Sequence, residues 1–129
     1  MDCVKDSKTI GKRILLVDDD PSARESIRLL LTIDRHQVIE AKDSMDALAL
    51  YARQSFDLVI VDYSMPKMLG GDLAANIKRV APQQPILMIT AYLEKLVASD
   101  TPVDAILGKP LSIDELRQAI EKLLGSSSL

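Results

Sequence analysis

A chain of 129 residues is long enough for one compact domain with a sizeable core. With 47% hydrophobic and 27% charged residues it is not a disordered chain, and a net charge of −3 gives it no general attraction to nucleic acid or an anionic membrane. No apolar run approaches the ~20 residues of a membrane span, the polar start "MDCVKDSKTIGKR" has no signal-peptide centre, and Cys3 is the only cysteine, so a cytoplasmic protein without internal disulfides is expected.

Residues 1–9 read as a loose leader, 10–125 as the folded domain and 126–129 as a tail. The first apolar run is "RILLVD" (13–18), and Asp20 and Pro21 then provide an N-cap and a first helical turn for a helix burying Ile27, Leu30 and Leu31. His36, near the end of that helix, reads as a surface residue. "QVIEA" (37–41) precedes a helix capped by Ser44, with Ala47, Leu48 and Tyr51 on its core face. "DLVIVD" (57–62) precedes a helix opened by Gly71 or Asp72, carrying Leu73, Ile77 and Val80 and stopped by "APQQP". "PILMIT" (85–90) is followed by "LEKLVAS" (93–99), which allows only a short or irregular fourth helix. "VDAILG" (103–108) leads to a last helix opened by Ser112, with Leu116, Ile120, Leu123 and Leu124 on one face and Gly125 as its stop.

The runs at 57–62 and 85–90 are almost continuously apolar, as strands covered on both faces should be. Strand–helix alternation of this kind implies an α/β fold, a doubly wound five-stranded parallel sheet with helices on both faces. Ligands of such sheets bind beyond the carboxyl ends of the strands. Those ends carry Asp18, Asp19 and Asp20, then Asp62, Thr90 and Lys109. Asp20 is absorbed by helix capping. The remaining acids are hard oxygen donors suited to Mg²⁺, which binds through one or two carboxylates and keeps its waters. A carboxylate beside such an ion can serve as a nucleophile toward phosphorus, with a lysine and a hydroxyl sharing the phosphoryl charge. A glycine-rich phosphate loop, a G-x-S-x-G motif and a second histidine to partner His36 are all lacking.

"LLVDDDP", "DLVIVDYSMPKMLGG", "ILMITAY" and "LGKPLS" together closely resemble the receiver domain of two-component response regulators, over about residues 12–124. The resemblance implies a flavodoxin-like strand order 2-1-3-4-5. It implies Asp62 as phosphoacceptor, with Asp18, Asp19, Asp62 and the backbone carbonyl of Ser64 holding Mg²⁺, and Thr90 and Lys109 contacting the phosphoryl oxygens. It further implies a cis Lys109–Pro110 bond and a histidine kinase or histidine phosphotransfer protein as phosphodonor. Tyr63, Ala91 and Tyr92 would flank the pocket and tune water access to the acyl phosphate. The domain would not be an enzyme beyond its own phosphotransfer and autodephosphorylation, and would itself bind neither nucleic acid nor membrane.

Three positions depart from the family pattern. Ile106 occupies the place of the aromatic switch residue, the chain between Thr90 and Lys109 is shorter than usual, and Leu69 replaces a frequent acid. These leave open a degenerate receiver that signals by docking alone. "DDD" also meets the D-x-D pattern of haloacid-dehalogenase-like phosphatases, although Ser22 and Ala23 continue it poorly. A flavodoxin-like binding module would need a Ser/Thr/Gly-rich first loop where this one is acidic. The downstream effector is not named by the sequence, which ends a few residues past the last helix.

Overall fold

The computed structural model describes residues 11–65, 67–92 and 101–125. The expected leader (1–9), tail (126–129), short fourth helix (93–99) and Pro66 lie outside the described residues. Five strands, β1 (Arg13–Val17), β2 (Gln37–Ala41), β3 (Leu58–Asp62), β4 (Ile86–Thr90) and β5 (Ala105–Gly108), form one parallel sheet in the order β2-β1-β3-β4-β5. The described helices are α1 (Pro21–Ile33), α2 (Ser44–Tyr51), α3 (Gly70–Val80) and α4 (Ile113–Gly125). The doubly wound α/β reading and its strand order are thus observed.

Alternation along the strands feeds two separate core layers. Leu15, Val17, Val59, Val61, Ile86 and Met88 meet Ala47 of α2 and Leu73, Ala74 and Ile77 of α3. Ile14, Leu16, Leu58, Ile60, Leu87 and Ile89 meet Ile27 and Leu31 of α1 and Leu116, Ile120 and Leu124 of α4. β3 and β4 are buried at every residue because both of their faces are covered, whereas β5 is half-buried throughout. Central strands that read as unbroken apolar runs are the sequence counterpart of that burial.

Four local expectations are corrected. Asp43, not Ser44, caps α2, accepting from the Asp46 backbone N–H at 2.8 Å, while the buried Ser44 hydroxyl donates to the Met68 carbonyl at 2.9 Å. Helix α3 begins at Gly70, ahead of both Gly71 and Asp72, with no side-chain cap. Its apolar stripe stops at Ile77, since Val80 ends the helix 73% exposed. His36 is buried at 8% exposure rather than lying on the surface. The chain reverses between α1 and β2 through Arg35, held at φ +69°, and the His36 N–H donates to the Leu31 carbonyl at 3.0 Å, which folds the imidazole inward.

Candidate functional site

Strand register brings the chemistry to one pole. Val17 pairs with Val61 and with Ala41, Asp62 with Ile89, and Thr90 with Gly108, so the residues that follow β1, β3, β4 and β5 emerge side by side. Asp18 and Asp62 are 2% and 6% exposed, whereas Asp19 faces solvent. Carboxylate oxygens of Asp18, Asp19 and Asp62 all lie within 4.8 Å of one another. Lys109 Nζ reaches Asp62 Oδ1 at 2.9 Å, and the Lys109–Pro110 bond is cis as expected.

The three consecutive aspartates divide their work. Asp18 Oδ1 accepts the Asp20 N–H at 3.0 Å, and Asp20 Oδ1 accepts the Ser22 N–H at 3.1 Å as the cap of α1, so Asp20 serves the turn. Burial pushes the Asp18 carboxyl above its ordinary pKa; the hydrogen bond from Asp20 opposes this and the charge of Asp62 adds to it. Burial likewise raises Asp62, against the hydrogen bond and charge of Lys109 and with the charge of Asp19. Partial burial works against the Lys109 ammonium, but its bond to Asp62 prevails and its pKa is raised. Three acids against one lysine leave surplus negative charge, and clustered oxygen donors of this kind fit Mg²⁺ rather than a softer metal.

Thr90 ends β4 at 1% exposure, and its hydroxyl accepts the Tyr92 N–H at 2.8 Å, an arrangement that leaves the hydroxyl proton to be donated. Ser64 is an exposed loop residue two positions past Asp62, Tyr63 is half-buried, and Ala91 and Tyr92 are exposed beyond β4. Ile106 sits mid-strand in β5, packed against the core layer of α2 and α3. The acids and the lysine are therefore drawn together, while Tyr63, Ser64, Ala91 and Tyr92 stand within two residues of Asp62 or Thr90 in the chain and Ile106 packs into the core.

Two features carry more than the sequence suggested. Gly70 is no flexible entry to α3: a Cβ there would collide with the Asp62 carbonyl oxygen and lie 2.9 Å from Tyr63 Cα. Its N–H donates to the Tyr63 carbonyl at 2.8 Å, closing the loop that follows Asp62. The D-x-x-M-P-x-M-x-G spacing was the signal for that approach. Arg24, in the second turn of α1, donates from Nη1 to the Asp18 carbonyl at 2.7 Å and from Nε to Glu40 Oε1 at 2.9 Å. Sequence alone shows only a helical arginine there.

Comparison with known proteins agrees with this geometry. Residues 14–121 match the family described as "Response regulator receiver domain". The transcriptional regulatory protein GlrR of Escherichia coli is 36% identical over 118 residues, which are 89% of this chain and 27% of GlrR. Response regulator MprA of Mycobacterium leprae is 35% identical over 115 residues, 87% of this chain and 50% of MprA. The chain thus spans between a quarter and about half of the curated relatives it matches. Among solved structures, the response regulator TrrA of Thermotoga maritima, in complex with Mg²⁺–BeF, superposes with a TM-score of 0.83 at 32% identity, covering 88% of this chain and 99% of TrrA. NtrX of Brucella abortus gives 0.85 at 27% identity, covering 92% of this chain and 28% of NtrX.

Proposed function

The chain belongs to the response regulator receiver domain family, and on that premise we propose that it takes a phosphoryl group from a phosphohistidine onto Asp62 and so switches a partner-binding surface. The observation that carries this reading is the Asp62 carboxylate, buried at the end of β3, paired to Lys109 at 2.9 Å and grouped with Asp18 and Asp19. The donor is a histidine kinase or histidine phosphotransfer protein, the location cytoplasmic, and the receiver domain occupies 10–125. No described helix is long and apolar enough to cross a membrane.

An Asp62 oxygen attacks phosphorus as the P–N bond to the donor imidazole breaks, and the imidazole leaves with the bonding pair. Lys109 holds Asp62 as the reactive anion and afterwards moves its ammonium to a phosphoryl oxygen. Thr90 donates its hydroxyl proton to a second phosphoryl oxygen, exchanging its local turn for a contact with the new charge. Mg²⁺ would be held by Asp18, Asp19, Asp62 and the Ser64 carbonyl, and supplies charge neutralisation for the phosphoryl oxygens. The phosphoryl group replaces the single carboxylate charge with about −2, a net gain of about −1 that comes with three strong acceptor oxygens, and draws Thr90 and the Ala91–Tyr92 segment inward, biasing the surface beside it. Tyr63, Ala91 and Tyr92 tune water access to the acyl phosphate, and loss of the phosphoryl group resets the domain.

Incubation with a phosphorylated histidine kinase and Mg²⁺ tests this. One acid-stable, base-labile phosphoryl group per chain is expected, and none for Asp62→Asn. Incorporation by Asp62→Asn equal to wild type would sink the assignment. Ile106, in place of an aromatic switch residue, motivates a second reading as a docking module that is never phosphorylated. Failure of the wild type to incorporate phosphate would favour that reading, and sustained turnover of a phosphomonoester would favour the phosphatase one.

A further inference from the structure

Asp18 is gripped on both sides of its backbone. Its N–H donates to the Ala41 carbonyl of β2 at 3.2 Å, and its carbonyl accepts Arg24 Nη1 at 2.7 Å. That carbonyl belongs to the peptide joining Asp18 to Asp19, so its orientation sets the direction in which both side chains leave the backbone. The same guanidinium is anchored by Glu40, which leaves β2 beside Leu16 of β1 and takes Nε at 2.9 Å on Oε1. The other oxygen of that carboxylate, Oε2, lies 3.3 Å from Arg28 Nε. The planar fork of arginine meets the carbonyl and the carboxylate from two nitrogens held at a fixed separation, a pre-organised geometry that the single flexible ammonium of a lysine at this position would not reproduce.

From this geometry we infer that Arg24 is a positioning residue: anchored on Glu40, it fixes the Asp18–Asp19 peptide so that the two carboxylates converge with Asp62 on a divalent cation. The inference rests on the proposed Mg²⁺ site and concerns how this chain's own residues prepare it. Arg24 touches neither the ion nor the phosphoryl group. Groups that orient metal-ligating carboxylates typically change metal affinity by about 10–100-fold when removed. Arg24 acts one peptide away from the donor atoms, so the lower end applies.

Arg28 provides the internal control, since it pairs with the same Glu40 but is not among the donors to the Asp18 carbonyl. Calorimetric titration with Mg²⁺ is expected to give Arg24→Ala a dissociation constant about tenfold above wild type. Arg28→Ala should stay within about twofold, and Arg24→Lys should recover only part of the loss. Glu40→Ala should weaken Mg²⁺ in the wild type and add nothing in the Arg24→Ala background, as expected for residues acting as one unit. With a small acyl phosphate as donor, saturating Mg²⁺ should restore the Arg24→Ala phosphorylation rate. A wild-type Mg²⁺ affinity in Arg24→Ala, or an equal loss in Arg28→Ala, would overturn the inference. Absence of Mg²⁺ binding by the wild-type protein would instead overturn the metal site on which it rests.

Discussion

The two poles of the sheet use aspartate in opposite ways. At the amino ends of the strands each acid is met by donors. Asp57 Oδ2 accepts the Arg13 N–H at 2.8 Å, and Asp104 Oδ2 accepts both Lys78 Nζ and the Ile86 N–H at 2.8 Å. Asp34, the C-cap of α1, takes two bonds from Arg117 at 2.9 and 3.0 Å. At the carboxyl ends Asp18, Asp19 and Asp62 crowd together with Lys109 as the paired cation. The same side chain stabilises where donors surround it and stores repulsion where they are too few. The difference marks which pole is built for chemistry and which for holding the sheet.

The largest expected effect comes at the place where the chemical pole is held by backbone approach. Gly70→Ala forces a methyl into the Asp62 carbonyl and Tyr63 Cα. It should destabilise by about 3 kcal/mol and sharply reduce phosphoryl incorporation; a wild-type urea midpoint would show that α3 can shift freely. Next comes the opposite pole, where Asp104→Ala orphans the buried Ile86 N–H and should cost about 2 kcal/mol by chemical denaturation.

Asp18→Asn should have the opposite sign, stabilising the Mg²⁺-free protein by about 1 kcal/mol, because one member of the repelling cluster becomes neutral. The pKa of Asp18 is raised in the folded state, so its favourable contribution is present below the ordinary value of 3.8 and is lost as pH rises through the folded-state value. The advantage of Asp18→Asn should therefore vanish near pH 4 and grow toward neutrality, and Mg²⁺ should reverse it. Destabilisation by Asp18→Asn at neutral pH without Mg²⁺ would erase the contrast between the poles.

The smallest effect belongs to His36, whose buried Nδ1 has no hydrogen-bond partner among the described residues. Burial lowers its pKa; Asp34 and Asp57 oppose that shift, and Lys12 adds to it. The stability of the neutral form is thus present above the ordinary value of 6.5 and declines as pH falls through the folded-state value. His36→Leu should flatten the shallow loss of melting temperature between neutrality and pH 5, and an unchanged slope would assign that loss to carboxylates instead.

Strands and site were legible for a common reason: in a parallel sheet each buried run must end abruptly, and the polar residue at its end is both boundary and candidate. Asp62 closes five consecutive buried residues and announces itself in that way. His36 left no such signal, because a three-residue turn has no periodicity and its burial depends on the left-handed Arg35. Asp43 and Ser44 are both good capping residues, and only the backbone shows which of them stands outside the helix. The partnership of Arg24 with the Asp18 carbonyl was hidden because it joins a side chain to a backbone atom, which sequence chemistry does not display.

The site draws its groups from the ends of β1, β3 and β5, and β3 lies between β1 and β4 in the sheet. No single strand–helix unit of the chain contains it. During folding, the acids can meet only after β1 has docked on β3, and the lysine arrives only when β5 has closed the far edge. The proposed competence to accept a phosphoryl group would therefore certify that the sheet is assembled from β1 to β5, and would be withheld from a nascent or partly unravelled chain.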